Sequence, residues 1–288
     1  VGGAWVYSLV YSSETELVHG ASNNGIFFTI SCERNECISA FHLPQPFHLA
    51  YDSIDNKVYC TFSVGHGGEE SLAVVDGWGH RLKAMPLEWA TIPLWDPVSN
   101  RVYVSCGDRN RVAVIDCVTD SVIDYIRVGR WPIGMDLNTR HHKLYVRNWG
   151  DWQGESVSIV DLETNEVIRT IRLDEVPEAG WYSSVVDKYY CHDSGEVVAI
   201  DGDGDSIVGR IPVLGCVVSA VGNNASNLVM FGVDVPGLDS VFVVDAVSDS
   251  VVSVLAVGRG PSSLAWSQAT NLVYCANATS GNVSVIAG

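Results

Sequence analysis

Short runs in which apolar and polar residues alternate fill most of the chain: "RVYVSC" at Arg101–Cys106, "RVAVID" at Arg111–Asp116, "SVSIVD" at Ser156–Asp161 and "SVFVVD" at Ser240–Asp245. A period of two sends successive side chains to opposite faces of an extended strand, and Val, Ile, Tyr and Phe suit that pleated surface. Between the runs lie clusters of Asn, Asp, Gly, Ser and Thr, the residues that reverse a chain. No 3.6-residue periodicity competes, so the pattern predicts an all-β fold built from short strands.

The runs repeat as a set. "NRVYVSCGDRNRVAVIDCVTDSVIDYIRVGRWP" (Asn100–Pro132) holds a strand, a polar loop, a strand ending in Ile-Asp, a turn, a third strand and then Val-Gly-x-x-Pro. Copies begin at Glu16, Asn56, His142, Asp187, Asn227 and Asn271. The aspartates Asp76, Asp116, Asp161, Asp201 and Asp245 recur at intervals of about 40 to 45 residues, a period that matches one propeller blade. Ser31 and Ala287 extend the column at its two ends. With an alternating stretch ahead of each Val-Tyr strand, every unit carries four strands. A seven-bladed β-propeller follows, one domain over 1–288, with blades near 7–43, 46–90, 91–131, 132–176, 178–214, 216–260 and 261–288. The last blade is expected to be incomplete within this chain, which leaves Asn282–Ile286 as an edge that could accept a donated strand.

The repeated unit resembles the YVTN family of β-propellers, most clearly in "VAVIDCVTDSVIDYIRVGRWP" and "NLVYCANATSGNVSVI" and least before Asn56. His19 and Met230 depart from its tyrosine column, and Ser31 from its aspartate column. The resemblance implies a fold more than an activity. It also implies an extracytoplasmic setting: extracellular, cell-surface or periplasmic.

The repeated residues read as architecture. Each column aspartate ends a strand, where its carboxylate can accept N–H groups from the following turn. In Val-Gly-x-x-Pro, glycine supplies unusual backbone angles and proline fixes the start of the next blade. Cys60, Cys191 and Cys275 share one position in blades that are not neighbours, and read as small buried thiols. Cys32 and Cys37 differ: they flank the turn "ERNE", close enough for a candidate disulfide, which would fit an oxidising compartment.

Charge narrows the partners. The net charge is −17 at pH 7, from 34 acidic and 17 basic residues; such a surface repels a phosphate backbone, so nucleic acid is not expected. No apolar run is long enough for a spanning helix. "DGDGDS" (Asp201–Ser206) looks at first like a calcium loop, but its sixth and twelfth positions fail the EF-hand pattern. His141-His142, at a turn, makes a poor metal pair. No metal site is expected.

Sites on propellers tend to form from the loops at one mouth of the central channel. Blades two, four and six carry longer loops between their second and third strands: "SVGHGGEES", "NWGDWQGES" and "GVDVPGLDS". These nominate a rim of His66, Glu69, Glu70, Asn148, Trp149, Asp151, Trp152 and Asp234, joined from the blade connections by Trp131 and Trp181. Indoles in a polar loop suggest a contact surface. His48, His192 and Asp193 read as channel-facing polar groups. The expected function is a non-catalytic binding or assembly module, without a cofactor, contacting a protein or glycan through the rim. The alternative is a propeller enzyme of lactonase or lyase type, using calcium or another divalent cation at the channel mouth.

Overall fold

In the computed structural model, which describes residues 5–65, 70–152, 154–235 and 237–288, the alternating runs become strands joined by tight antiparallel turns. Blade 1 consists of β1 (Val6–Ser12), β2 (Leu17–Ser22), β3 (Ile26–Ser31) and β4 (Glu36–His42). Blade 2 is β5 (Pro46–Asp52), β6 (Lys57–Ser63), β7 (Glu70–Asp76) and β8 (Arg81–Pro86); blade 3 is β9 (Ala90–Asp96), β10 (Arg101–Cys106), β11 (Arg111–Asp116) and β12 (Ser121–Arg127). Blade 4 follows as β13 (Pro132–Asn138), β14 (Lys143–Asn148), β15 (Ser156–Asp161) and β16 (Glu166–Arg172). Blade 5 is β17 (Gly180–Ser183), β18 (Lys188–Asp193), β19 (Glu196–Asp201) and β20 (Ile207–Pro212). Blade 6 is β21 (Cys216–Asn223), β22 (Leu228–Asp234), β23 (Ser240–Asp245) and β24 (Ser250–Ala256); blade 7 has three strands, β25 (Pro261–Ser267), β26 (Leu272–Asn277) and β27 (Asn282–Ala287). Within each blade the strands pair in chain order. The chain is a seven-bladed β-propeller whose last blade has three strands among the described residues.

Contacts along the chain group into two compact units, Val1–Met135 with blades 1 to 3 and Asp136–Gly288 with blades 4 to 7, the boundary falling inside β13. In the first unit one apolar cluster joins blades 1 and 2 through Phe27, Leu43, Val58 and Val75, and another joins blades 2 and 3 through Tyr59, Leu72, Val104 and Ile115. The second unit repeats the scheme, with Tyr145 and Ile200 between blades 4 and 5, Tyr190 and Phe231 between 5 and 6, and Met230 and Val273 between 6 and 7. In blades 1 to 6 the second and third strands are covered on both faces, as in "RVAVID" of β11, while β12, β16 and the last strand, β27, are mostly exposed. Burying one such Val or Ile side chain contributes about 1.5–3 kcal/mol.

Turn chemistry explains the repeats. Asp76, Asp161 and Asp245 each accept two backbone N–H groups of the next turn, at 2.8–3.0 Å. Asp116 accepts from the Thr119 amide and hydroxyl, and Asp201 from the Gly204 amide. Ser31 does the same for Arg34 at 3.3 Å, so the drifted position keeps an acceptor. The Thr119 hydroxyl and amide hold the Asp116 carboxyl below the usual carboxylate range.

Two expectations need correction. Cys32 and Cys37 are free, exposed thiols. The hairpin turns one residue earlier than expected: Ser31 faces Glu36, Cys37 faces Ile30, and Cys32 falls inside the turn, where it has no facing cysteine. In the blade connections the left-handed backbone lies not at the glycine of Val-Gly but at the residue before the next strand. That residue is Gln45, Trp89, Trp131, Gly215 or Gly260.

Candidate functional site

The loop after β14 turns tightly at Gly150–Trp152, where Gly150 (φ +76°) and Asp151 (φ +55°) are both left-handed. A Cβ there would overlap the backbone nitrogen of Glu155, so only glycine allows the return into β15. The fold-back buries the Glu155 side chain to 9% exposure while its carboxylate accepts from the Gly154 amide at 2.9 Å.

Residues from blade 5 complete the wall. Asp193 ends β18 at 1% exposure; its Oδ1 accepts the amides of Asp174 (2.7 Å) and Glu175 (3.2 Å), and its Oδ2 pairs with Arg210 at 3.1 Å. This fixes the connection from blade 4 to blade 5. Arg147 fixes it from the other side, donating to the carbonyls of Pro177 and Glu178. The outcome is a cleft of about 430 Å³ lined by Trp149, Glu155, Asp174, Glu175, Val176, Glu178, His192 and Cys216.

Its chemistry is one-sided. Arg147 lies 3.5 Å from Asp136, and Arg210 is shared between Asp193 and Glu196. Among the described residues no cation pairs with Glu155, Asp174, Glu175 or Glu178. His192 is 3% exposed; its Nδ1 lies 3.4 Å from the Val176 carbonyl, and its Nε2 is buried without a partner. A carbonyl can only accept, so Nδ1 carries the proton of the neutral ring and Nε2 offers a lone pair. The Cys216 thiol sits 3.7 Å from Glu178; burial and then that carboxylate push it up to about 11, so at neutral pH it is a protonated thiol and a poor nucleophile.

The structure distributes the rim residues differently from the expectation. His66 and Glu69 lie outside the described residues, as do the side chains of Glu70, at the start of β7, and Trp152. Trp149 lines the cleft, and Asp151 is exposed beside it with φ +55°. Asn148 is no rim residue: it is fully buried at the end of β14, where its amide nitrogen donates to Ser156 and Ser158 across the hairpin. Trp181 is a packing residue, because it lies in β17 rather than in the connection and rests against the clusters of blades 5 to 7. In the first unit, Trp131 stands edge-on to Trp89 with ring centres 5.9 Å apart, and its amide donates to Asn110. Asp234 is exposed, and burial together with the neighbouring Asp239 carboxyl raises its pKa.

Glu155, Glu175, Glu178 and Cys216 were not singled out by the sequence. The signal available was the acidic connection "LDEVPEA" between β16 and β17. Among the described residues no three His, Cys, Asp or Glu side chains converge closely enough to hold a metal ion, and no helix is long and apolar enough to cross a membrane.

No family model matches the chain, and no curated protein matches it. Among solved structures it is similar to a chain described as Kuenenia stuttgartiensis hydrazine synthase, at 17% identity and a TM-score of 0.76, covering 98% of this chain and 95% of that one. At that identity the likeness concerns the fold.

Proposed function

We propose that this protein is a recognition module, a propeller of the YVTN-repeat kind that binds a ligand or a partner's side chain without transforming it. The observation that carries this reading is the cleft beside Trp149: an indole, a nine-tenths buried glutamate and a buried imidazole with a vacant nitrogen meet in one concavity. Convergent polar groups in a concave site are what small-ligand recognition requires. The repeated residues support the reading from the other side, because the column aspartates, Lys57, Lys143 and Lys188 are engaged in holding turns and blades. An extracytoplasmic location, which the repeat resemblance supports, belongs to the same proposal and is checked by fractionating the native host.

The test is a thermal-shift screen of charged metabolites, neutral metabolites and saccharides. Hits should disappear in Trp149→Ala and persist in Trp266→Ala, a substitution in blade 7. Hits indifferent to Trp149 would sink the proposal, and turnover of a hit seen by mass spectrometry would make the protein an enzyme instead.

The edge of blade 7 favours a second mode of contact. Among the described residues β27 pairs with β26 alone, and its Val283 and Val285 are each 58% exposed. An open strand with alternating apolar side chains can accept a partner's strand. Val283→Lys with Val285→Lys should abolish any self-association seen by light scattering; self-association unchanged by the pair would refute that mode.

A further inference from the structure

Four carboxylates facing one cleft without a counter-cation are electrostatically unfinished. Asp174, Glu175 and Glu178 are exposed and Glu155 is nearly buried, so all four favour a positive ligand over a neutral one, most strongly the carboxylate held out of water. A compact metal ion needs several ligands drawn to about 2.0–2.6 Å around one point, and the described residues offer no such convergence. An ammonium group is less demanding. It donates three hydrogen bonds at about 2.7–2.9 Å to acceptors spread around it.

The buried imidazole supplies an independent observation. His192 is 3% exposed, lines the cleft and keeps Nε2 without a partner, while Nδ1 is committed to the Val176 carbonyl. A buried acceptor left unpaired costs about 1–3 kcal/mol unless something fills it, so a ligand that brings an N–H donor recovers that loss. Trp149 provides a flat apolar wall of the kind that alkyl stems and cations both favour.

We infer that the cleft binds a primary alkylammonium group, with its charge among Glu155, Glu175 and Glu178, its alkyl stem along Trp149 and one N–H donated to Nε2 of His192. This assignment rests on the binding-module reading and names the ligand class for the same site. A free diamine and a lysine side chain present the same chemistry.

Calorimetry on the whole chain at pH 7.5 separates the alternatives. The probes are 1,5-diaminopentane, Nα-acetyl-lysine methylamide, tetramethylammonium and 1-pentanol. Both amines should bind; pentanol should not, and tetramethylammonium, which has no N–H to give, should bind at least tenfold more weakly. Whichever amine binds more tightly identifies the source. Glu175→Gln with Glu178→Gln, both at exposed positions, should weaken amine binding at least tenfold. Glu163→Gln with Glu166→Gln, on the exposed turn between β15 and β16, should leave it unchanged. His192→Gln should remove the preference for the primary amine over tetramethylammonium, with its melting curve checked first. Equal weakening by both glutamate pairs would show general attraction to an acidic surface and overturn the inference. Failure of both amines would overturn it too. If a neutral saccharide then bound and was lost in Trp149→Ala, the recognition module would stand and the ammonium assignment alone would fall.

Discussion

Glu16 is held at φ +54°, and the corresponding residue before the second strand of every blade is left-handed as well: Asn56, Asn100, His142, Asp187, Asn227 and Asn271. That region costs an ordinary L-residue about 1–2 kcal/mol, and asparagine or aspartate less, because the short side chain hydrogen-bonds locally. Glu16 is exposed and has no such bond. Glu16→Asn should therefore stabilise the protein by about 0.5–1 kcal/mol, read as a higher midpoint in urea with an unchanged m-value; a lower midpoint would show that the glutamate is needed there. Three residues on, His19 occupies the tyrosine column at 0% exposure, its Nδ1 3.1 Å from the Thr29 hydroxyl and its Nε2 unpaired. Burial lowers its pKa from 6.5 to about 4. The folded state thus keeps the ring neutral while the unfolded chain binds a proton between those values. Stability from this group is complete above pH 6.5 and is lost as the pH falls toward 4, by about 3 kcal/mol in all. His19→Phe should flatten that part of the stability profile; a slope between pH 6.5 and 4 identical to the parent's would refute the assignment.

Between elements, the blades are joined by one recurring polar contact as well as by apolar clusters. Lys57 at the start of β6 reaches Asp120 after β11 at 2.9 Å, Lys143 of β14 reaches Asp205 after β19 at 2.8 Å, and Lys188 of β18 reaches Asp249 after β23 at 2.6 Å. In two of these the tyrosine of the same strand adds a bond to the same aspartate, Tyr59 to Asp120 and Tyr190 to Asp249. Both ends of each pair are only 11–17% exposed, so removing one partner strands the other. Lys188→Met should destabilise by about 2–3 kcal/mol. Lys188→Met combined with Asp249→Asn should recover part of that loss, because the carboxylate no longer lacks a partner. Additive losses in chemical denaturation would show that the pair does not couple.

Across the whole molecule, what the sequence revealed depended on whether a residue type or only a function repeats. Strands and blades were legible because alternation and the aspartate column recur with little change. The turn after the first strand also has an acceptor in six blades, Ser12, Asp52, Asp96, Asn138, Asn223 and Ser267, yet no single residue type marks it because Ser, Asp and Asn serve alike there. Asn148 and Trp181 were misplaced because loop and strand meet within one residue of each. The cleft was hidden for a different reason: Trp149 and His192 belong to neighbouring blades and meet only after the connection between them is pinned. What did read directly was the charge, −17 from 34 acids and 17 bases, and it governs a property that belongs to no single blade. With acids twice as numerous as bases, at least half of the carboxylates have no cation of their own to pair with, so folding concentrates repulsion. Sodium chloride screens that repulsion, the Debye length falling from about 30 Å at 0.01 M to about 10 Å at 0.1 M. The same salt weakens the exposed ion pairs, but such pairs are each worth about 0–1 kcal/mol and are too few to offset the gain. Raising sodium chloride from 0.01 to 0.2 M should therefore lift the Tm by several degrees, with most of the rise below 0.1 M. A flat or falling Tm over that range would mean that the carboxylates are already neutralised within the folded protein.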